Sequence, residues 1–273
     1  MSAALSDCAQ GLISPQIALA RMTLAGEPID PDAIDAGAPD GSPLREVARL
    51  ARAHGPKLAR LGRLAAAGLD PDGPDPVAAT AALFDRLAAE EPEAGVAFYS
   101  LGDPALLAAA TAELVEVVRG WTKVDGRDLL DFGCGIGRAA IALAPHARTV
   151  AGVDVSPGMI DQARARSAGV PGLSFLATDG RTLPFFDASF DLVLAVDSFP
   201  YIVRAGLLDA QLAEIARVLR PGGGLIVFNW SYRGDPDRDA READAADAFE
   251  TLRANERPFA IWDAAGFHLR KAA

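Results

Sequence analysis

The run Leu129-Leu130-Asp131-Phe132-Gly133-Cys134-Gly135-Ile136-Gly137-Arg138 decides how the rest of this chain is read. It begins as a short apolar strand over 129–132 and opens into glycines at alternate positions. Residues without a Cβ let a backbone turn tightly and approach a ligand closely. Residues 138–143 then read as a helix. In doubly wound α/β sheets such strand exits are where ligands settle. A dinucleotide fingerprint needs G-x-G-x-x-G, and counting from Gly133 and Gly135 its third glycine would fall at Arg138. The glycine comes one residue early, at Gly137, which disfavours a nicotinamide dehydrogenase.

Outward from this turn, short apolar runs alternate with helical stretches. Strands are predicted over 129–132, 149–153, 173–177, 191–196 and 225–229, with helices over 138–143, 157–167 and 207–219. The fourth run is apolar from Leu192 to Val196, as a strand covered on both faces must be. Repeated β–α alternation implies parallel strands joined by right-handed crossovers. The acidic stretch 235–247 reads as a helix, and 249–253 with 267–270 as a closing hairpin that puts His268 on an edge strand. The predicted fold is α/β: a doubly wound, mostly parallel, seven-stranded Rossmann-like sheet, with an antiparallel C-terminal strand and an N-terminal helical extension.

That extension is Ala- and Arg-rich. Ser14-Pro15 and Ser42-Pro43 each pair a capping hydroxyl with a Pro that needs no hydrogen-bonded N–H, so each starts a helix. Pro56 is expected to break or kink the second helix. Between 45 and 63 six cations face one Glu, which describes a solvated helix face or a docking surface for an acidic partner. Asp70-Pro71-Asp72-Gly73-Pro74-Asp75-Pro76 is too rich in Pro and Gly for a helix. It separates a helical extension over 1–75 from a ligand-binding domain over 76–273, in which 77–90 and 104–118 also read as helices.

Composition narrows the function. A net charge of −11 excludes nonspecific nucleic-acid binding as the main activity, since phosphate contacts need clustered cations. The chain is 50% hydrophobic and 23% charged, yet no stretch approaches the ~20 apolar residues of a membrane span. Asp7 and the lack of a basic start argue against a signal peptide. Two distant cysteines, Cys8 and Cys134, point to a reduced, cytoplasmic setting. His54, His146 and His268 form no cluster, so no metal is expected.

Five blocks in order resemble the class I S-adenosylmethionine-dependent methyltransferases, in particular the small-molecule branch of type 11/25. They are the turn 131–137; Gly152-Val153-Asp154-Val155-Ser156 with Met159; Ala177-Thr178-Asp179-Gly180; Phe190–Ser198; and Val218-Leu219-Arg220-Pro221-Gly222-Gly223-Gly224-Leu225. The resemblance runs from about Phe98 to the C-terminus and implies S-adenosylmethionine as cofactor. It implies that Asp154, seventeen residues after Gly137, accepts from two ribose hydroxyls. Val155 and Met159 would pack on the adenine, and Asp179 with Gly180 would meet its amine. Asp131, Gly133, Cys134, Gly135 and Gly137 would form the turn around the cofactor, joined by Tyr99, Asp197 and Ser198. The block ending at Ser198 continues Phe199-Pro200-Tyr201 and lacks the N-P-P-Y-type run of the branch that methylates nucleobase and glutamine amines.

Methyl transfer from a sulfonium is an in-line displacement, so the protein chiefly aligns the partners. A general base is needed only for an acceptor that is protonated at working pH. Asp197 and Tyr201 are the catalytic candidates; Tyr99, Tyr232 and His268 are further candidates near the predicted mouth of the site. The acceptor is expected to be a small molecule, aromatic or acyl, with an anionic group matched to Arg204 and Arg233. Neither nucleic acid nor membrane is an expected partner, and the N-terminal helices are assigned to homodimerisation. The alternative reading is a cofactor-binding interaction protein whose N-terminus docks a partner.

Overall fold

Strands β1 (Asp128–Phe132), β2 (Thr149–Asp154), β3 (Leu173–Ala177), β4 (Phe190–Val196), β5 (Leu219–Phe228), β6 (Phe249–Glu256) and β7 (Gly266–Lys271) pair in the order β3-β2-β1-β4-β5-β7-β6 in the computed structural model of the chain. Residues 2–66 and 75–272 are described. Most of the Pro/Gly-rich stretch 70–76, read from the sequence as a linker, lies outside them. The chain forms two units, one from residues up to 66, 90–110 and 259–263, the other from 75–89, 111–258 and 264–272.

The first unit is helical. It holds α1 (Ala3–Ala9), α2 (Pro15–Leu24), α3 (Pro31–Ala36) and α4 (Leu44–Ala66). Ser14 caps α2 from its hydroxyl to the Ile17 N–H, with Pro15 in the first turn, as the sequence signals. The expected break at Pro56 does not occur: α4 runs through it. One lost backbone hydrogen bond is outweighed by an apolar stripe, in which Leu44, Val47, Leu50, Leu58 and Leu61 are all buried along a single face. The basic stripe is largely neutralised within the unit. Arg45 meets Asp35 and Asp40, Arg49 meets Glu46, Arg52 meets Asp32 and Asp35, and Arg60 meets Glu90 and Glu91.

The second unit carries the sheet. Helix α5 (Pro76–Glu90) contributes its residues up to 89, and α6 (Pro92–Val96) belongs to the first unit. Helix α7 (Pro104–Trp121) passes from one unit into the other and leads to β1. The crossovers are α8 (Arg138–Leu143), α9 (Pro157–Arg166), the short α10 (Phe199–Arg204) and α11 (Leu208–Val218); α12 (Pro236–Asp244) follows β5. Strands β1 to β5 are parallel, β7 runs antiparallel to β5, and β6 antiparallel to β7. The core on one face joins Leu130, Val193, Phe199, Ile215, Val227, Trp230 and Phe267.

The C-terminal hairpin does not end in an edge strand carrying His268, because β7 inserts between β5 and β6 and pairs His268 with Ile226. His268 is therefore a structural residue, buried and stacked on Trp121. The fifth strand, predicted over 225–229, starts earlier, and Arg220–Gly224 belongs to the first half of β5. Its slack shows as a register jump, where Phe190 and Leu192 pair with Leu219 and Gly224.

Candidate functional site

Because β1 lies between β2 and β4, the winding reverses beside β1, and ligands in such sheets settle beyond the strand ends there. The turn leaving β1 carries Gly133, Gly135 and Gly137, all with positive φ. At Gly133 the requirement is steric as well. Its φ is +74° and a Cβ would lie 2.4 Å from that of Ser198. The Gly133 and Cys134 N–H groups both donate to the Val153 carbonyl, at 2.8 and 2.9 Å, which draws the turn over the end of β2.

Two carboxylates back this turn. Asp131 is buried and its Oδ2 accepts from the Ala140 N–H in the first turn of α8 at 3.1 Å. Burial, together with the Asp154 charge, pushes its carboxyl up to about 7 against the pull of the Ala140 N–H and Arg138. Asp154, at the end of β2, accepts from the Gly135 N–H (2.8 Å) and the Ser156 N–H (2.9 Å). Its carboxyl is also raised, by burial first, despite those bonds. Cys134 is buried, and burial lifts its thiol well above the ordinary range, so it is a packing residue and not a nucleophile.

Beyond β2, Ser156 caps α9 through the Met159 N–H and gives its own hydroxyl proton to Asp85 of α5 at 2.6 Å. Asp85 Oδ1 also accepts from the Gly158 N–H at 2.9 Å. Met159 is wholly buried on α9, while Val155 is half-buried. Asp179 is exposed, and its Oδ1 accepts from the Arg181 and Thr182 N–H groups, which holds its carboxyl below the usual range. Gly180 is closed in: a Cβ there would lie 2.7 Å from Val155 Cγ1 and 2.8 Å from Val77 Cγ1 of α5.

At the exits of β4 and β5, Asp197 and Asn229 both turn into the left-handed region, at φ 62° and 63°, which these two residue types tolerate best after Gly. The matched turns bring their side chains together, with Asn229 Nδ2 donating to Asp197 Oδ1 at 2.9 Å. The Tyr232 hydroxyl donates to the same oxygen. Tyr201 of α10 stands edge-on to Tyr232 at 6.1 Å and to Phe84 of α5 at 5.2 Å. Its phenol is raised by burial and the Asp197 charge, so it stays protonated and can donate a hydrogen bond but not accept a proton. Ser198 donates to the Phe132 carbonyl at 2.8 Å.

The structure thus brings together Asp131, the three glycines, Cys134, Asp154, Val155, Asp197 and Ser198 at the ends of β1, β2 and β4. Tyr99 lies in the first unit, buried and stacked on Trp262 at 5.2 Å. Arg233, expected to meet an anionic acceptor, is instead bound to Asp239 and Glu242 at 2.6 and 2.5 Å. Phe84, Asp85 and Asn229 were not singled out by the sequence reading. The one signal for Asp85 was a carboxylate set in the Ala- and Leu-rich helix 77–89. Among the described residues no three His, Cys, Asp or Glu side chains gather as a metal site requires.

Residues 129–223 match a family described as a methyltransferase domain. The chain is 35% identical over 117 residues to a sterol 4-C-methyltransferase of Caenorhabditis elegans, covering 41% of this chain and 34% of that protein. It is 37% identical over 145 residues to a fatty-acid O-methyltransferase of Mycolicibacterium smegmatis, covering 49% and 52%. The chain therefore spans about half or less of the length of these curated relatives. Among solved structures, the N-methyltransferase NodS of Bradyrhizobium japonicum, in complex with S-adenosylhomocysteine, superposes with a TM-score of 0.53 at 19% identity, covering 71% of this chain and 99% of that one. That likeness is one of fold.

Proposed function

We propose that this chain, which carries a methyltransferase domain of the class I S-adenosylmethionine-dependent family, transfers a methyl group from S-adenosylmethionine to a small-molecule acceptor by in-line displacement. The observation that carries the reading is Asp154: a carboxylate at the end of β2, held against the Gly135 N–H of the turn leaving β1. The cofactor, when bound, supplies the activated methyl group on a sulfonium.

This chain's own residues supply position and charge. The turn 133–137 has backbone without Cβ atoms at three alternate positions, and so admits a ligand against the main chain. Asp154 is suited to the ribose hydroxyls and Asp131 to a cationic group near the turn, where a positive charge offsets the cost of burying the carboxylate. Val155 lies between that carboxylate and Gly180, a suitable flank for a flat base. Asp197 is the group able to take a proton from the acceptor, and Tyr201 the donor that orients it.

The reading keeps the protein in the cytoplasm, supported by two free, buried cysteines. Among the described residues no helix is long and apolar enough to cross a membrane. Homodimerisation through the N-terminal helices remains part of the proposal, supported by the exposed Leu12 and Leu24. A pure interaction protein is not favoured, since residues 129–223 match a methyltransferase domain and most of the basic stripe of α4 is already neutralised.

Calorimetric titration with S-adenosylhomocysteine tests the reading. Binding is expected, weakened more than tenfold in Asp154→Ala, because a charge-assisted hydrogen bond contributes about 1.5–3 kcal/mol. No heat from the unaltered protein at high micromolar ligand would sink it, and unchanged affinity in the variant would remove the ribose role of Asp154.

A further inference from the structure

Helix α5 precedes the matched domain, yet it touches three of the loops at the C-terminal edge of the sheet, those after β2, β3 and β4. Its Val77 packs where Gly180 leaves no room for a Cβ, after β3. Its Asp85 accepts from the Ser156 hydroxyl and the Gly158 N–H, after β2. Its Phe84 meets Tyr201, after β4. The Ala88 carbonyl adds a bond from Gln162 Nε2 at 3.3 Å. A half-buried carboxylate is costly to cover unless its hydrogen bonds are made, and Asp85 makes both of its bonds to the loop beside Asp154.

We propose that α5 is the acceptor-facing wall of this site. In it, Phe84 joins Tyr201 and Tyr232 in an aromatic corner that takes a neutral, apolar, ring- or chain-bearing acceptor with one O–H or N–H, and Asp85 is the positioning residue that fixes the wall. The inference rests on the methyl-transfer reading and names the class of its acceptor.

The three rings are set edge to face, Phe84 to Tyr201 at 77° and Tyr201 to Tyr232 at 86°, which leaves ring faces and edges at right angles around one corner. Tyr232 is 61% exposed and Phe84 and Tyr201 are half-buried, so apolar ring surface is there for a ligand to cover. At the end of the corner stands Asp197, a hydrogen-bond acceptor for a protic group. Its charge opposes an anionic head group, and of the two cations expected to draw one, Arg233 is occupied by Asp239 and Glu242 while Arg204 is exposed at the end of α10. The ordering runs through Asp85. Its single oxygen Oδ1 accepts both bonds, so the carbonyl of an Asn can replace it and the methyl of an Ala cannot.

The test uses the full chain saturated with S-adenosylhomocysteine, with 2-naphthol as neutral protic probe and 2-naphthoate as its anionic counterpart, both titrated by calorimetry. Naphthol is expected to bind and naphthoate to bind at least tenfold more weakly. Phe84→Ala should weaken naphthol about fivefold, the size of one aromatic contact, with S-adenosylhomocysteine affinity retained as the sign of an intact fold. Asp85→Ala should speed amide hydrogen exchange over residues 76–89 and weaken naphthol to a similar degree, and Asp85→Asn should restore both. The proposal is overturned if naphthol fails to bind the cofactor-loaded protein, if naphthoate binds as well, if Phe84→Ala binds naphthol unchanged, or if Asp85→Ala alters neither exchange nor affinity. Failure of S-adenosylhomocysteine itself to bind removes the methyl-transfer reading instead.

Discussion

Gly133→Ala isolates the backbone demand of the turn leaving β1. Gly133 sits at φ +74°, where an L side chain costs about 1–2 kcal/mol. Its new Cβ would stand 2.4 Å from Ser198 Cβ and 3.0 Å from Ser198 Oγ, whereas carbons at rest stay roughly 3.5–4.0 Å apart. The neighbour must yield by roughly 1 Å. Either the start of α10 moves away from β1, or the Ser198 side chain rotates and forfeits its 2.8 Å bond to the Phe132 carbonyl, a loss of about 1 kcal/mol. Overpacking a fixed core adds about 1 kcal/mol more, which places the total near 3 kcal/mol. For a unit of this size that lowers Tm by about 6–12 °C. The steric part is separable. In a Ser198→Gly background the clash disappears and only the backbone penalty remains, so a double-mutant cycle should return a coupling of about 2 kcal/mol between the two positions. Differential scanning calorimetry reads the stability, and titration with S-adenosylhomocysteine reads the turn, expected at least tenfold weaker in Gly133→Ala. A loss below about 1 kcal/mol in both backgrounds, with affinity intact, would refute the account of the turn.

Two pH responses of opposite sign follow from buried groups. Asp131 has its folded-state carboxyl pushed up to about 7 by burial, above its value near 4 in the unfolded chain, so its contribution is full at low pH and is lost as pH rises from about 4 to about 7. The urea midpoint should carry a falling component over that window that Asp131→Asn removes; an Asn variant with the same slope would contradict it. His268 has its imidazole pushed down to about 4, by burial first and then by Arg253, Arg127 and Arg270, so its contribution is present above about pH 6.5 and lost as pH falls to about 4. Its ring protons should not titrate between pH 8 and pH 5 by NMR, and a midpoint near 6.5 would place the ring in solvent.

What could be read from the sequence was what a local pattern encodes. Strand β1 and its glycine turn announce themselves because apolar periodicity and three missing Cβ atoms are properties of adjacent residues. The same holds for α8, for the Ser14 cap and for the parallel order implied by repeated β–α alternation. What was missed depends on partners remote in sequence. Pro56 reads as a break or a kink, and only the buried face of α4 reveals why the helix does not end there. The pairing of His268 with Ile226 follows from where β7 inserts, which no single segment specifies. Arg233 looks like an anion receptor until Asp239 and Glu242 fold back on it from α12. Asp85 lies 71 residues from Ser156 and has no motif of its own, so its role appears only when α5 is seen against the strand ends.

The charges at those strand ends argue for one kind of ligand more than for another. Burial raises the carboxyl pKa of both Asp131 and Asp154; the charge of Asp154 adds to the first and that of Asp85 to the second. Folding tolerates this because each carboxylate has at least one backbone N–H: Ala140 for Asp131, Gly135 and Ser156 for Asp154, Gly158 for Asp85. The N–H groups satisfy hydrogen bonding but carry no net charge, so repulsion among the carboxylates persists. A ligand bearing positive charge offsets that repulsion where few solvent molecules can screen it, and a neutral ligand of the same shape does not. Under the proposed function the donor is cationic at sulfur and its product is not, while both share the ribose and base that Asp154 and Val155 are suited to hold. The acidic cluster therefore contributes most to binding before transfer and least after it, which favours loading of the reactive form and release of the spent one without any movement of the sheet.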